Sequence, residues 1–176
     1  MLALLQRLTG LGDPAREAAA DLLGVVSREA LSPERFARLG FADTFDGRFE
    51  ALAVTSILAL RRLRAEGPRA ERLSEAFTTR LFRALDDALR DLGTGDTTIA
   101  RKIRKMGEAF YGRARAYEAA LNAADAQALA VALARNIADD EDTARWQVLA
   151  DWMVAAEAAL TAQTVEAMVA GEGWPA

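Results

Sequence analysis

The chain has 176 residues, about one domain's length, with 52% apolar and 27% charged residues and a net charge of −4. It can bury a core and lacks the composition of a disordered chain. It contains no cysteine and no histidine, which excludes disulfides, cysteine nucleophiles, Ser–His–Asp triads and nearly every zinc or haem ligand set.

The negative balance argues against a general nucleic-acid binder. Lysine occurs only at Lys102 and Lys105, and arginine and alanine are abundant. That bias fits a GC-rich genome and hence a bacterial source. Met1 to Gly10 is too short and interrupted for a secretory signal. It reads as a first helical turn packed on the body, with a weak amphipathic surface anchor as the other possibility. The uncharged run Ala51–Leu60 falls far short of the ~20 residues that cross a bilayer.

Helical periodicity dominates the rest, with no convincing two-residue alternation. Asp13-Pro14 has the capping carboxylate and first-turn proline of a helix start, predicting a helix to about Leu31. Ser32-Pro33-Glu34 repeats the signal for a short helix ending near Gly40. A long helix is expected from Asp46 to about Glu66, buried on most sides because its centre carries no charge. Gly67-Pro68 stops it and restarts the chain.

A fourth long helix is expected from Arg69 to Leu92, with Leu73, Phe77, Leu81, Leu85 and Leu89 at helical spacing. After Gly93, Asp96 or a neighbouring threonine should cap a helix whose apolar stripe is Ile99, Ile103, Met106, Phe110, Tyr117 and Leu121. A shorter helix is predicted from Asp125 to Ile137, then an acidic break at Asp139–Asp142. A last helix should run from Thr143 to Ala170. The expected fold is all-α: one compact, bundle-like domain of six to eight helices over residues 13–170, after a short segment 1–12 and before a frayed tail, 171–176.

Two polar cassettes stand out. In Asp43-Thr44-Phe45-Asp46-Gly47-Arg48-Phe49, Asp43 or Thr44 can cap the following helix. Gly47 would relax the turn, Phe45 and Phe49 could staple it, and Arg48 could pair back to a carboxylate. A binding role is the competing account. The second cassette spans Gly93-Thr94-Gly95-Asp96-Thr97-Thr98-Ile99, then Arg101 to Lys105, and closes with Phe110-Tyr111-Gly112-Arg113. At 100° per residue, Arg101, Arg104 and Arg115 face away from the apolar stripe, with Lys105 to one side, while Lys102 and Arg113 flank it. A cation beside a core must snorkel, pair or meet a ligand. Asp43, Asp46, Asp86 and Asp87 are the candidate counter-charges. A partner-gripping basic surface and a solvated face with structural ion pairs both remain open.

Asp86-Asp87-Ala88-Leu89-Arg90-Asp91 carries the aspartates of a magnesium–diphosphate site, but lacks a second facing motif. Gly93-Thr94-Gly95-Asp96 lacks the strand and the Gly-Lys-Ser/Thr of a phosphate loop.

With these residues in hand, the chain resembles the ubiquinol–cytochrome c reductase assembly chaperone family. The resemblance rests on Asp43 to Glu50, on Leu60-Arg61-Arg62-Leu63, on Asp86 to Arg90 with Gly93 to Asp96, and on Lys102 to Met106 with Phe110 to Arg113. It covers about Pro14 to Leu121. The 93–106 stretch is richer in Arg and Thr than the family's usual form, and residues 122–176 show no family motif. The resemblance implies an all-helical, non-enzymatic chaperone without a cofactor, binding newly made cytochrome b and promoting assembly of respiratory complex III. Mitochondrial relatives work on the matrix side, near the ribosome and with a small partner subunit; bacterial ones look like the bare domain. For this chain it implies a cytoplasmic protein acting at the inner face of the membrane.

Asp43, Asp46, Arg48, Phe49, Arg101, Lys102, Arg104, Lys105, Phe110, Tyr111, Arg113 and Arg115 are the expected partner-binding residues. A groove between the helices starting at Asp46 and Ile99 would hold the client. The basic face would meet anionic lipid or an acidic client loop. The alternatives are a magnesium-dependent prenyl-diphosphate enzyme or binder built on residues 86–91, and a peripheral membrane adaptor.

Overall fold

In the computed structural model, which describes residues 13–138 and 142–175, the Asp13 carboxylate accepts from the Ala15 amide at 3.1 Å and opens α1 (Pro14–Leu31). The short α2 (Pro33–Arg38) has proline in its first turn but no side-chain cap from Ser32. Thr44 Oγ1 accepts from the Gly47 amide at 3.1 Å and starts α3 (Phe45–Ala65). Gly67 takes φ +76° in a single 3₁₀ turn (Gly67–Ala70), which leads into α4 (Glu71–Asp91). Then follow α5 (Asp96–Asn122), α6 (Ala126–Leu133), α7 (Thr143–Thr161) and α8 (Val165–Ala170). The all-α expectation holds, with eight α-helices among the described residues. The N-terminal stretch 1–12 and most of the acidic break, 139–141, lie outside those residues.

The uncharged α3 is the axis of the bundle. It packs against α1, α4, α5, α7 and α8, and Phe49, Ala51, Ala53, Val54, Ile57, Leu58, Ala59 and Leu63 are all buried. Buried Thr55 returns its hydroxyl to the Ala51 carbonyl at 2.8 Å, satisfying it within the helix. Around α3, α1 lies along α4, α4 against α5, α5 against α6 and α6 against α7. The α4 stripe Leu73, Phe77, Leu81, Leu85 and Leu89 is buried throughout, each side chain contributing roughly 1.5–3 kcal/mol of burial. On α5, Ile99, Phe110, Tyr117 and Leu121 are buried while Ile103 and Met106 are half-buried.

Four local expectations are corrected. Gly95, not Asp96 or a threonine, flanks the start of α5, and no side chain caps it; Asp96 instead accepts from Arg90 at 2.5 Å. The helix expected from Asp125 to Ile137 keeps α-geometry only to Leu133, then widens into a π turn (Ala134–Ala138). The last helix is two: Thr164 accepts from the Ala167 amide at 3.2 Å and caps a new start. Arg62 donates twice to the Gln163 carbonyl (2.9 and 2.7 Å), satisfying backbone that the break leaves open. The tail expected to fray is anchored as far as Pro175, whose carbonyl accepts from Arg35 Nη2 at 2.9 Å and from Trp152 Nε1 at 3.4 Å.

Candidate functional site

The two cassettes meet through one buried ion pair. Arg113 of α5 donates from Nε to Glu50 Oε2 at 2.7 Å and from Nη2 to Glu50 Oε1 at 2.5 Å. The same Nη2 donates to the Asn136 carbonyl at 2.9 Å, so one guanidinium ties α3, α5 and the π turn. The side chains are 12% and 10% exposed. The Arg113 Cζ lies 5.7 Å from the Phe49 ring centre, within cation–π range.

Burial pushes the Glu50 carboxyl up to about 6, the attraction of Arg113 offsetting that only in part and nearby Asp46 adding to it. Tyr117, fully buried nearby, is raised by its own burial, and its hydroxyl has no hydrogen-bond partner. The counter-charge of Arg113 is therefore Glu50, not any of Asp43, Asp46, Asp86 or Asp87. Lys102, predicted to share the core flank with Arg113, is exposed instead.

Arg48 and Asp43 pair on the surface, at 3.1 Å from Nε and 2.8 Å from Nη2; Asp46 is exposed. Gly47 does not relax a turn. It sits in the first turn of α3, where a Cβ would lie 2.0 Å from the Ala42 carbonyl oxygen. Phe45, Arg48 and Phe49 line an apolar cleft of about 200 Å³, together with Leu23 and Leu31 of α1 and Leu81, Leu85 and Ala88 of α4. The groove expected between α3 and α5 is not the opening found here. That seam is bridged by Arg113 and Glu50, and the cleft lies between α1, α4 and the first turns of α3.

The closing part of the second cassette packs. Phe110 is buried edge-on to Phe82 (5.8 Å) and to Tyr111 (5.5 Å), while Tyr111 itself is 54% exposed. Arg101, Lys102, Arg104, Lys105 and Arg115 all reach solvent. Arg104 lies 3.9 Å from Glu108; the other four make no ion pair among the described residues. This face offers free positive charge without a structural debt.

On the aspartate run, Arg90 holds Asp86 at 2.7 Å and Asp96 at 2.5 Å. Among the described residues no three carboxylates, His or Cys gather closely enough to hold a metal ion.

Sequence reasoning did not single out the buried arginines as a class. Arg61 bonds Glu157 at 2.9 Å and Asn122 at 2.8 Å. Arg62 holds the α7–α8 break, and Arg35 pairs with Glu29 while lying 5.6 Å from the Trp152 ring centre. The signal was present as two arginines interrupting an apolar helix, in Leu60-Arg61-Arg62-Leu63. Partners 96 and 101 residues away are invisible to local pattern.

No curated protein matches the chain. The crystal structure of a Cbp3 homolog from Brucella abortus is 34% identical in sequence and superposes with a TM-score of 0.79, covering 98% of this chain and 94% of that one. The pattern of the family described as Ubiquinol-cytochrome C chaperone matches residues 37–174. That match runs through the C-terminal third, where no family motif was legible, and takes in Asn136, Glu157 and Gln163, the polar partners of Arg113, Arg61 and Arg62. The chain belongs to the ubiquinol–cytochrome c chaperone family.

Proposed function

We propose that this protein binds newly made cytochrome b, without turnover, and holds it for assembly into complex III at the cytoplasmic face of the bacterial inner membrane. One observation carries the reading. The buried polar groups of the cassettes are spent on holding helices together, and what faces outward is an apolar cleft and an unpaired cationic helix face. Such surfaces bind; they do not supply a nucleophile or a tuned acid–base pair. The cleft offers apolar cover to a hydrophobic client. The α5 cations suit either an acidic client loop or the anionic lipid beside it.

The test is a chromosomal deletion complemented with wild type or with the triple variant Arg101→Glu, Lys102→Glu, Lys105→Glu. These residues are exposed and unpaired, so each substitution should change stability by no more than about 0.5 kcal/mol. Assembled complex III and its cytochrome b should fall in the deletion strain, return with wild type and return poorly with the triple variant. Wild-type levels of complex III in the deletion strain would sink the proposal. Salt-sensitive binding of the pure protein to anionic vesicles, alongside normal complex III, would favour a membrane adaptor instead.

A further inference from the structure

Helix α4 presents a second face beside its buried stripe. Arg72, Ala76, Arg80, Arg83 and Asp87 recur at helical spacing and line an open trough of about 640 Å³, with Asp13, Arg16 and Leu23 of the α1 side across it. Leu23 and Ala84 line both this trough and the apolar cleft, so the two are continuous. Arg72 is answered by Asp13 at 3.1 Å. Arg80 and Arg83 are exposed and make no ion pair among the described residues, although Glu75 and Asp87 stand on the same helix face.

The cleft, at about 200 Å³, is smaller than the ~300–1,000 Å³ that encloses a whole small ligand. It fits an anchor belonging to something larger. With Arg72 engaged by Asp13, the free cations are Arg80 and Arg83, one turn apart and about 4.5 Å along the helix at 1.5 Å per residue. An amphipathic helix meets both features at once in the helix-in-groove mode, with an apolar residue in the cleft and carboxylates one turn apart on the two arginines.

We propose that the α1–α4 trough docks an acidic amphipathic helix of the client, with an apolar anchor in the cleft and carboxylates on Arg80 and Arg83. This rests on the client-binding reading above and adds where the client binds and what chemistry it presents.

The test places the photo-crosslinker p-benzoylphenylalanine at position 84, and separately at position 105, in the full chain within cells making complex III. Crosslinked peptides are identified by mass spectrometry. Crosslinking from position 84 to a cytochrome b segment bearing a carboxylate within two helical turns is expected. It should drop at least about ten-fold in an Arg80→Glu, Arg83→Glu background, because like charges then face each other. Both arginines are exposed, and an unchanged melting temperature verifies the fold. Cytochrome b crosslinked from position 105 but not from 84 would overturn the trough and leave the client reading standing. A lipid adduct at 84, or a crosslink there indifferent to charge reversal, would also overturn it. No cytochrome b from either position would count against the client reading itself.

Discussion

Arg113 and Glu50, 63 residues apart, close on each other through two hydrogen bonds in a site that is nearly dry. The pair joins the two polar cassettes that carry the family resemblance. In this chain the tie between the cassettes is structural: Arg113 is at once an ion-pair partner, a donor to the Asn136 carbonyl and a cover for the Phe49 ring.

Removing one member of this pair should be costly. Arg113→Ala strands a buried carboxylate and is expected to destabilise by about 3–5 kcal/mol, whereas Arg113→Met combined with Glu50→Leu should recover most of the loss. Urea unfolding followed by circular dichroism checks both. A loss below about 1 kcal/mol for the single variant would mean the clamp contributes little. The measured stability of an Arg113 variant therefore has to accompany any assembly readout, so that a structural role and a binding role are told apart.

The pair also predicts a pH dependence. Glu50 is raised from 4.5 to about 6, so between those values the folded protein holds more proton than the unfolded chain. Its contribution is fully present below pH 4.5 and is lost as pH rises through 6, by about 2 kcal/mol in all. Other carboxylates titrate in the same range, so the readout is the difference between wild type and Glu50→Gln. Wild type should weaken relative to the variant from pH 4.5 to 6.5; a flat difference would contradict the assignment.

Gly47→Ala should destabilise by at least about 1–3 kcal/mol. The contact is with the Ala42 carbonyl at 2.0 Å, backbone that cannot swing aside. Gly24→Ala, where an added Cβ meets nothing within 4 Å, should be neutral or slightly stabilising, as expected inside a helix. Thermal unfolding of the two side by side distinguishes a steric requirement from a general sensitivity to glycine replacement.

Arg62→Ala leaves the Gln163 carbonyl without its two donors. A cost of about 1–3 kcal/mol is expected, with faster amide exchange confined to the α7–α8 junction. Unchanged exchange there would show that Thr164 and the surrounding packing suffice to set the break.

The parts legible in the sequence were those governed by local period and local chemistry. The α4 stripe, the Asp13 cap, the Thr44 cap and the Gly67 stop each depend on residues within a few positions. The parts missed depend on distant partners. The Ala-rich stretch from Ala155 to Ala170 holds no proline or glycine, and its break is completed by Arg62 from another helix. The periodicity of α5 placed Arg113 beside the core but could not name Glu50. Gly47 looked like a device for freedom because nothing local shows a carbonyl pressing on it. The spacing that predicts a groove between α3 and α5 cannot show that Arg113 and Glu50 bridge that seam, or that the apolar cleft opens between α1, α4 and the first turns of α3.

A helix whose central turns are buried sets the timescale of the whole molecule. Because α3 touches five other α-helices, no partial opening can free its central amides. Their hydrogen exchange should report only complete unfolding, while the short α2, none of whose residues is fully buried, exchanges through local fluctuations. The protein then combines a slow centre with a fast periphery.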